Sequence, residues 1–576
     1  MGKLIRIHMS ELTVREEQEH GYQDLAGRGL TSTVIAREVP PRCDPLGPQN
    51  KLVFAPGALS GTTAANSGRL SIGLKSPLTG GIKESNVGGT AAVKLARLGI
   101  CAVIVEGAPR AGGWHLLFLS KDEPRLLPAS DLAGLKNYDL VARLQATYGK
   151  HVAVLSVGPV GERLLPTATI ACTDISGIPC RHAGRGGPGA VMGSKGLKAI
   201  VIDDNGGAAK ALADPAKFKE GAKKFASAIK AHPLTNEALK VLGTPALASP
   251  INAAGAYPTR NFREGTFDQV DKVSGEYMHE LLTRRNGKTS QAGCSHCIIQ
   301  CSNVYVDEKG GYITSALEYE TIWAHGANLG IADLDSIARA DRLCDDYGMD
   351  TMEIGAAIAV AMEAGIRQFG DAKGALELVE EVGKGTPMGM IIGKGAWAAG
   401  QALKVDRIPT VKKQSFAAYE PRAIHGMGVS YATSTMGADH TAGWVVASNL
   451  SGMGGTLNPH TGDGQVDNSR MVQILTGAMD CTGLCTFVNF PVGDIPEGGE
   501  GLLQMMSGLY GKDLTMDDVV NLGKMVLKTE HDYNTAAGFT AEDDRLPRFM
   551  IEETIPVHNV KFTIPDEEID RLWKEF

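Results

Sequence analysis

What this 576-residue chain lacks bounds what it can be. It has no apolar run of the ~18 residues that a membrane span needs. The longest candidate, 354–366, carries Glu363 and stops too soon. The opening MGKLIRIHMSELTVREEQEHG turns polar too early for a signal peptide, so a cytoplasmic location is expected. There is no excess of positive charge. The net charge is -8, from 57 Lys and Arg against 65 Asp and Glu, which argues against nucleic acid as a partner except through a local basic patch. No P-loop and no solenoid repeat is present, and the glycine run Gly184-Arg-Gly186-Gly187-Pro-Gly189 is not expected to be a dinucleotide fingerprint at a strand end. Low complexity is absent too: 27 Pro and 71 Gly make up about 17%, below the ~25–30% that signals it.

What is present begins with glycine, about 12% against a typical ~7%, which points to turns and close backbone approaches in a folded protein. At about 150 residues per domain the length suggests three or four domains. The first ~205 residues are strand-rich, with β-prone runs at 4–8, 102–105, 115–119, 152–157 and 199–202 and a helix at 91–98. This is neither a regular βαβ series nor a pure sandwich, so the fold class is α+β. From Asp214 the texture turns helical. Asp214 caps and Pro215 occupies the first turn, where its missing N–H costs little. Phe218, Phe225 and Ile229 then recur at helical spacing, and further helices are expected at 335–347, 351–366, 372–382 and 517–528. A linker is expected at 205–210 and another boundary near 407–413, dividing the chain into 1–205, 206–410 and 411–576.

Ten cysteines in so long a chain do not make a disulfide mini-scaffold. Cys294, Cys297 and Cys301 form C-x2-C-x3-C, and Cys481 and Cys485 make a looser group. Three thiolates within eight residues can wrap a soft-metal centre, with the fourth ligand from Cys485 or Cys481. A structural zinc site usually shows two separated ligand pairs. The order C-x3-C-x2-C, which would suggest radical chemistry with adenosylmethionine, is not present. A 4Fe-4S cluster with four Cys ligands fits best.

Two distant segments echo each other. Asp345-Asp-Tyr-Gly348-Met349-Asp350 and Asp480-Cys-Thr-Gly483-Leu484-Cys485 both read D-x-x-G-[LM]-[DC], each where a helix ends at glycine. They are either two helix ends alike by chance or two equivalent carboxylates gripping the N–H groups of two equivalent heterocyclic ligands. Two glycine-rich segments, KESNVGG from Lys83 and HAGRGGPG from His182, precede helices and could approach phosphates, with Arg69, Arg185 and Lys195 supplying positive charge.

Together with SPLTGGIKESNVGG, HAGRGGPGAVMGSKGLKAI, CSHCIIQC, EYETIW and GADH, these motifs make the chain resemble the tungsten-containing aldehyde:ferredoxin oxidoreductases along essentially its whole length. The resemblance implies a β-rich base (1–205) under a bis-pyranopterin tungsten or molybdenum centre, closed over by two mainly helical domains. The metal is held by pterin sulfurs with no protein ligand. Arg69 is then placed between pterin and cluster, and Asn86 and Ala183 offer carbonyls to a Mg2+ that joins the pterin phosphates. Gly184 and Arg185 lie beside those phosphates; Gly88 and His182 belong to the same cofactor-binding segments. Asp345, Met349 and Asp350 hold one pterin, and Asp480, Leu484 and Cys485 the other. Cys294, Cys297, Cys301 and Cys485 are the 4Fe-4S ligands, and Cys481 is a buried thiol. Glu318, with Glu320 as rival, and His440 are the catalytic pair.

The implied reaction oxidises a small aldehyde to a carboxylate and passes electrons to ferredoxin or a ferredoxin-like iron–sulfur subunit. The alternatives are an aromatic acyl-CoA reductase of the benzoyl-CoA type and a non-catalytic electron carrier, which would need neither D-x-x-G copy. One departure concerns assembly. Where some members carry E-x-x-H for a metal-bridged homodimer, this chain reads Arg339-Ala-Asp-Arg342, so such a dimer is not expected. E-x-x-H recurs only at unmatched places, Glu17 to His20 and Glu276 to His279.

Overall fold

The computed structural model describes residues 2–18, 21–110, 112–574 and 576, so His20 of the first stray E-x-x-H lies outside the described residues. The first two hundred residues build two six-stranded sheets. The first sheet contains β1 (Lys3–His8), β2 (Thr13–Gln18), β3 (Leu52–Pro56), β4 (Leu70–Lys75), β5 (Ile82–Val87) and β6 (Ile100–Glu106), in the order β2-β1-β6-β3-β4-β5. The second contains β7 (His115–Leu119), β8 (Arg125–Pro128), β9 (Ala153–Ser156), β10 (Ile170–Cys172), β11 (Arg181–Ala183) and β12 (Leu197–Ile202), in the order β8-β7-β12-β9-β10-β11.

The two orders are the same topology written twice. In each sheet the first strand pairs antiparallel with the second and parallel with the sixth, and every other pairing is antiparallel. The helices repeat as well. α1 (Gly27–Glu38) and α3 (Asn137–Tyr148) precede the third strand of each copy; α2 (Ala91–Arg97) and α4 (Pro188–Ser194) precede the sixth. Sequence inspection finds no solenoid repeat, and the structure contains this duplication instead. The copies share a backbone path but few residues, so no period shows in the sequence.

Strand alternation explains the layering. Ile5, Ile7, Phe54 and Ile72 of one sheet meet Leu117, Leu119, Leu155 and Ile200 of the other in one core. The outer faces are covered by Leu30 and Val34 of α1 on Val53 and Ile104, and by Leu140 and Leu144 of α3 on Phe118 and Val201. Four of the five expected strands lie within observed ones, and the fifth, 152–157, overhangs β9 by one residue at each end. Strands β3 and β4 are buried at every position, so they show no alternation and escape a period-2 search.

The rest of the chain is largely helical. Asp214 caps α5 (Pro215–Ala231) by accepting from the N–H groups of Ala216 and Lys217. The other helices that matter to the site are α6 (Tyr319–His325), α7 (Leu334–Tyr347), α8 (Thr351–Glu363), α9 (Ala372–Lys384), α10 (Gln465–Thr482), α11 (Pro496–Tyr510) and α12 (Met516–Ala537). Two ends differ from expectation by more than two residues. The helix begun at 351 stops at Glu363, ahead of Gly365 at φ 79°. The one expected at 517–528 runs on to a left-handed Gly538. Phe218, Phe225 and Ile229 of α5 pack on Leu502, Met505 and Leu509 of α11, so helices far apart in sequence share a core. Among the described residues no helix is long and apolar enough to cross a membrane.

Candidate active site

The two sheet copies present their fifth strands toward the helical region. Asn86 and Ala183 sit at equivalent places, each five residues before its helix, and β5 and β11 run close together. The two D-x-x-G turns answer them. Helix α7 ends at Gly348 and α10 at Gly483, both left-handed with φ of 77° and 79°. Each turn is clasped by one copy of the sheet. A Cβ on Gly158, after β9, would lie 2.2 Å from the Tyr347 carbonyl; one on Gly57, after β3, would lie 2.0 Å from the Gly483 nitrogen. Backbone hydrogen bonds lock the contact. Thr169 N–H donates to Gly348 O at 3.0 Å, and Arg69 N–H donates to Gly483 O at 3.0 Å.

Between these turns and strands lies a cavity of about 800 Å³. Every expected site residue except Ala183 and Lys195 lines it; Ala183 is buried in β11 between the lining residues His182 and Gly184, and Lys195 is buried elsewhere, donating from Nζ to Gly47 O. Cys294, Cys297, Cys301 and Cys485 are all in this lining. Asn66 Nδ2 donates to Cys297 Sγ at 3.8 Å and Arg69 Nη2 to Cys485 Sγ at 3.5 Å. Cys481 is buried elsewhere; its Sγ donates to Gly477 O at 3.2 Å, and burial pushes that thiol up to about 12. Among the described residues no three His, Cys, Asp or Glu side chains converge closely enough for a single ion. Burial also pushes the Cys297 thiol up to about 11 and the Cys301 thiol well above its usual range.

The carboxylates of the two turns differ in their holders. Asp345 meets His182 Nε2 at 3.0 Å. Asp350 caps α8 with Oδ1, accepting from the N–H groups of Met352 and Glu353, and its Oδ2 stands 3.5 Å from Arg185 Nε. Burial lifts its carboxyl to about 6 against the pull of Arg185. Asp480 accepts from Arg28 Nη1 at 3.2 Å, and burial with Glu84 nearby lifts it to about 7. Arg28 is itself wholly buried and forked onto Glu530 at 2.9 and 2.7 Å. Arg185 is fixed by Ala438 O, Ser415 and Glu353.

The third feature of the cavity is a buried glutamate–histidine pair. His440 Nε2 stands 3.3 Å from Glu320 Oε1, and Glu320 Oε2 accepts from Ala418 N–H at 3.0 Å. Burial raises the Glu320 carboxyl, against the opposing influence of His440. His440 opens a short turn capped by Asp439, whose Oδ2 accepts from Lys83 Nζ at 2.6 Å. Burial pushes Asp439 up, but Lys83, Arg185 and His440 outweigh it and hold the carboxyl well below the usual range. The expected pairing of Glu318 with His440 is corrected here. Glu318 binds Arg181 Nη1 at 3.1 Å and Thr244 Oγ1 at 2.6 Å, and Glu320 is the one beside the histidine. Glu318 precedes α6 with extended backbone while Glu320 lies in its first turn, so the two side chains diverge. Sequence reasoning also missed Arg28, Lys83, Arg181, Glu353 and Ser415. Each acts through a partner more than 100 residues away or through a backbone group, and no local spacing announces that.

The residues fit a large anionic group carrying polar heterocycles. Arg181 Nε, Asp345 Oδ2 and His440 Nδ1 are buried without a hydrogen-bond partner, and buried polar atoms are rarely left so. Two D-x-x-G turns, a set of four thiols and a buried glutamate–histidine pair thus surround one cavity, an arrangement of the kind a redox enzyme needs. Comparison with known proteins agrees. Residues 4–204 match "Aldehyde ferredoxin oxidoreductase, N-terminal domain" and residues 220–576 match "Aldehyde ferredoxin oxidoreductase, domains 2 & 3". The chain is 34% identical to the tungsten-containing aldehyde ferredoxin oxidoreductase of Pyrococcus horikoshii and 33% identical to that of Pyrococcus furiosus, covering 96% of this chain and 92% of each relative. A more distant relative is an aliphatic sulfonate oxidoreductase, WOR-like subunit, of Pyrococcus furiosus, 23% identical over 98% of this chain and 92% of the relative. The chain belongs to the aldehyde ferredoxin oxidoreductase family. Its fold also resembles that of the solved active-site complex BamBC of benzoyl coenzyme A reductase, with a TM-score of 0.81 at 17% identity over 100% of this chain and 93% of the other.

Proposed function

We propose that the chain oxidises aldehydes to carboxylic acids at a bis-pyranopterin tungsten centre and passes the electrons through a 4Fe-4S cluster to ferredoxin or a ferredoxin-like subunit. The observation that carries this is the Glu320–His440 pair in a cavity that also holds four thiols and two D-x-x-G turns. Overall, an aldehyde and a water give a carboxylic acid, two protons and two electrons. When bound, the tungsten centre supplies the two-electron acceptor for the carbonyl carbon.

The chain's own residues supply positioning and protons. Asp345 and Asp350 on one side and Asp480 on the other accept from heterocycle N–H groups. Asn86 and Ala183, at equivalent positions in the two sheets, would offer backbone carbonyls to a Mg2+ that neutralises pterin phosphate charge, and Arg185 would add a positive charge nearby. His440 donates a hydrogen bond to the aldehyde oxygen, which polarises the carbonyl. Glu320, kept less acidic by burial, takes a proton from water and hands it on through His440. The aromatic wall of Tyr419, Trp444 and Phe490 limits water around the pair.

Cys294, Cys297, Cys301 and Cys485 ligate the cluster as thiolates, a form that iron binding stabilises and that for Cys297 and Cys301 runs against the upward push of burial. Metal analysis combined with an aldehyde panel and a viologen dye tests the proposal. About one W or Mo and four Fe per chain, with acid formed from aldehyde, is the expected result. Iron without W or Mo would point to an electron carrier, and dye-driven reduction of an aromatic acyl thioester would point to the reductase alternative.

A further inference from the structure

Glu318 and Arg181 take no part in the proton chemistry, yet both are held with care. Glu318 accepts from Arg181 Nη1 through one oxygen and from Thr244 Oγ1 through the other, so neither oxygen is free to reach His440. The Arg181 guanidinium lies against Gly293, where a Cβ would stand only 1.8 Å from Nη2. Any side chain at 293 would push the guanidinium away, and 293 directly precedes Cys294. Arg181 Nε is buried with no hydrogen-bond partner. Burial opposes its charge, but Cys294, Glu318, Cys180 and Cys301 together more than offset that. Arg69 Nη2 donates to Cys485 Sγ at 3.5 Å, with Cys294 also nearby. Two buried cations therefore lie beside the thiols, both of them near Cys294.

We propose that Arg181, held in place by Glu318, is a positioning residue that sets the reduction potential of the cluster from its Cys294–Cys301 edge. The inference rests on the 4Fe-4S reading above. When the cluster takes up one electron, the four-thiolate group gains one negative charge and no bond is made or broken. A fixed cation in a low-dielectric site stabilises that added charge, and nearby charge is one of the terms that set cluster potentials. Arginine keeps its proton throughout, so its contribution does not switch off with pH. Glu318 fixes the cation and partly neutralises it.

The test uses the full chain, purified with tungsten and without oxygen. Iron and tungsten are measured, and the cluster midpoint is found by a dye-mediated titration followed by electron paramagnetic resonance. Arg181→Gln is expected to keep about four Fe and to shift the midpoint to more negative values. The shift should be at least tenfold in the reduced-to-oxidised ratio, about 59 mV for one electron. Arg181→Lys should stay closer to the parent. Glu318→Gln should move the midpoint the other way, because the cation is then less neutralised. A merely structural role would not give opposite signs.

Unchanged midpoints in both Gln variants, or shifts of the same sign, overturn the proposal. Loss of tungsten with an unchanged cluster midpoint would make Arg181 a cofactor-holding residue and overturn it as well. If Arg181→Gln loses iron, the sign in Glu318→Gln decides; loss of iron in both assigns the pair to cluster assembly and overturns the proposal. A parent chain with no cluster signal would refute the underlying cluster assignment itself, an outcome distinct from all of these.

Discussion

Two glutamates, two residues apart, have different fates in this molecule. Glu320 faces His440 at 3.3 Å and Glu318 faces Arg181 at 3.1 Å. Glu320→Gln and His440→Asn are expected to keep W and Fe but to lose about 10²-fold or more in dye-linked aldehyde turnover, the usual scale for one acid–base group. Near-normal turnover in both, with cofactor intact, would rule the pair out. The same carboxyl gives a pH prediction. Burial raises it, and as a base it must be deprotonated, so turnover should fall as pH drops through a value above the ordinary ~4.3 of glutamate. A turnover rate that stays flat on acidification down to that ordinary value would contradict this.

At the scale of elements, the site is made by turns wedged into glycine notches. Gly57 and Gly158 admit the ends of α10 and α7 because they have no Cβ. Gly57→Ala must push the Gly483 turn outward, since no side chain is there to rotate away. Overpacking of this kind costs about 1–3 kcal/mol. A lower melting temperature together with a reduced pterin content is expected, and normal pterin content would show that the notch does not position the turn. Helix α10 carries a second test at its end. Cys485→Ser should lower iron content and dye reduction, whereas Cys481→Ser, whose group bonds within its own helix to Gly477 O, should change neither. The reverse result would move the fourth thiolate four residues upstream.

Over the whole molecule, the helical region is tied to the sheets by buried charge. Arg28 of α1 is forked onto Glu530 of α12, and Lys83 of β5 onto Asp439; breaking one partner of such a pair costs about 3–5 kcal/mol. These ties close the cavity within one chain. The stretch that departs from E-x-x-H is used internally as well: Arg342 stacks over Tyr138 at 3.3 Å and Asp341 accepts from Thr314. Any association of this chain with itself should therefore survive a chelator in light scattering. Dissociation on adding chelator would refute this.

The sequence by itself determined the local features. Helix starts at Asp214 and Asp350, helix ends at Gly348 and Gly483, and the C-x2-C-x3-C spacing depend on neighbours within a few residues, so the chain announces them. The residues singled out from the family motifs, Ala183 aside, line the one cavity. Only the tertiary structure decided the rest. Fully buried strands such as β3 carry no alternation, and the two sheet copies share a path that pairing across eighty or more residues reveals and composition does not. The choice between Glu318 and Glu320 turned on where extended chain gives way to helix at Tyr319, because that change sends the two side chains to different partners. Those partners, Arg181 and His440, lie 137 residues before Glu318 and 120 residues after Glu320 and are joined to them only through space. A charge pair of that separation is a property of the folded chain, since only burial brings the groups together and makes their attraction strong.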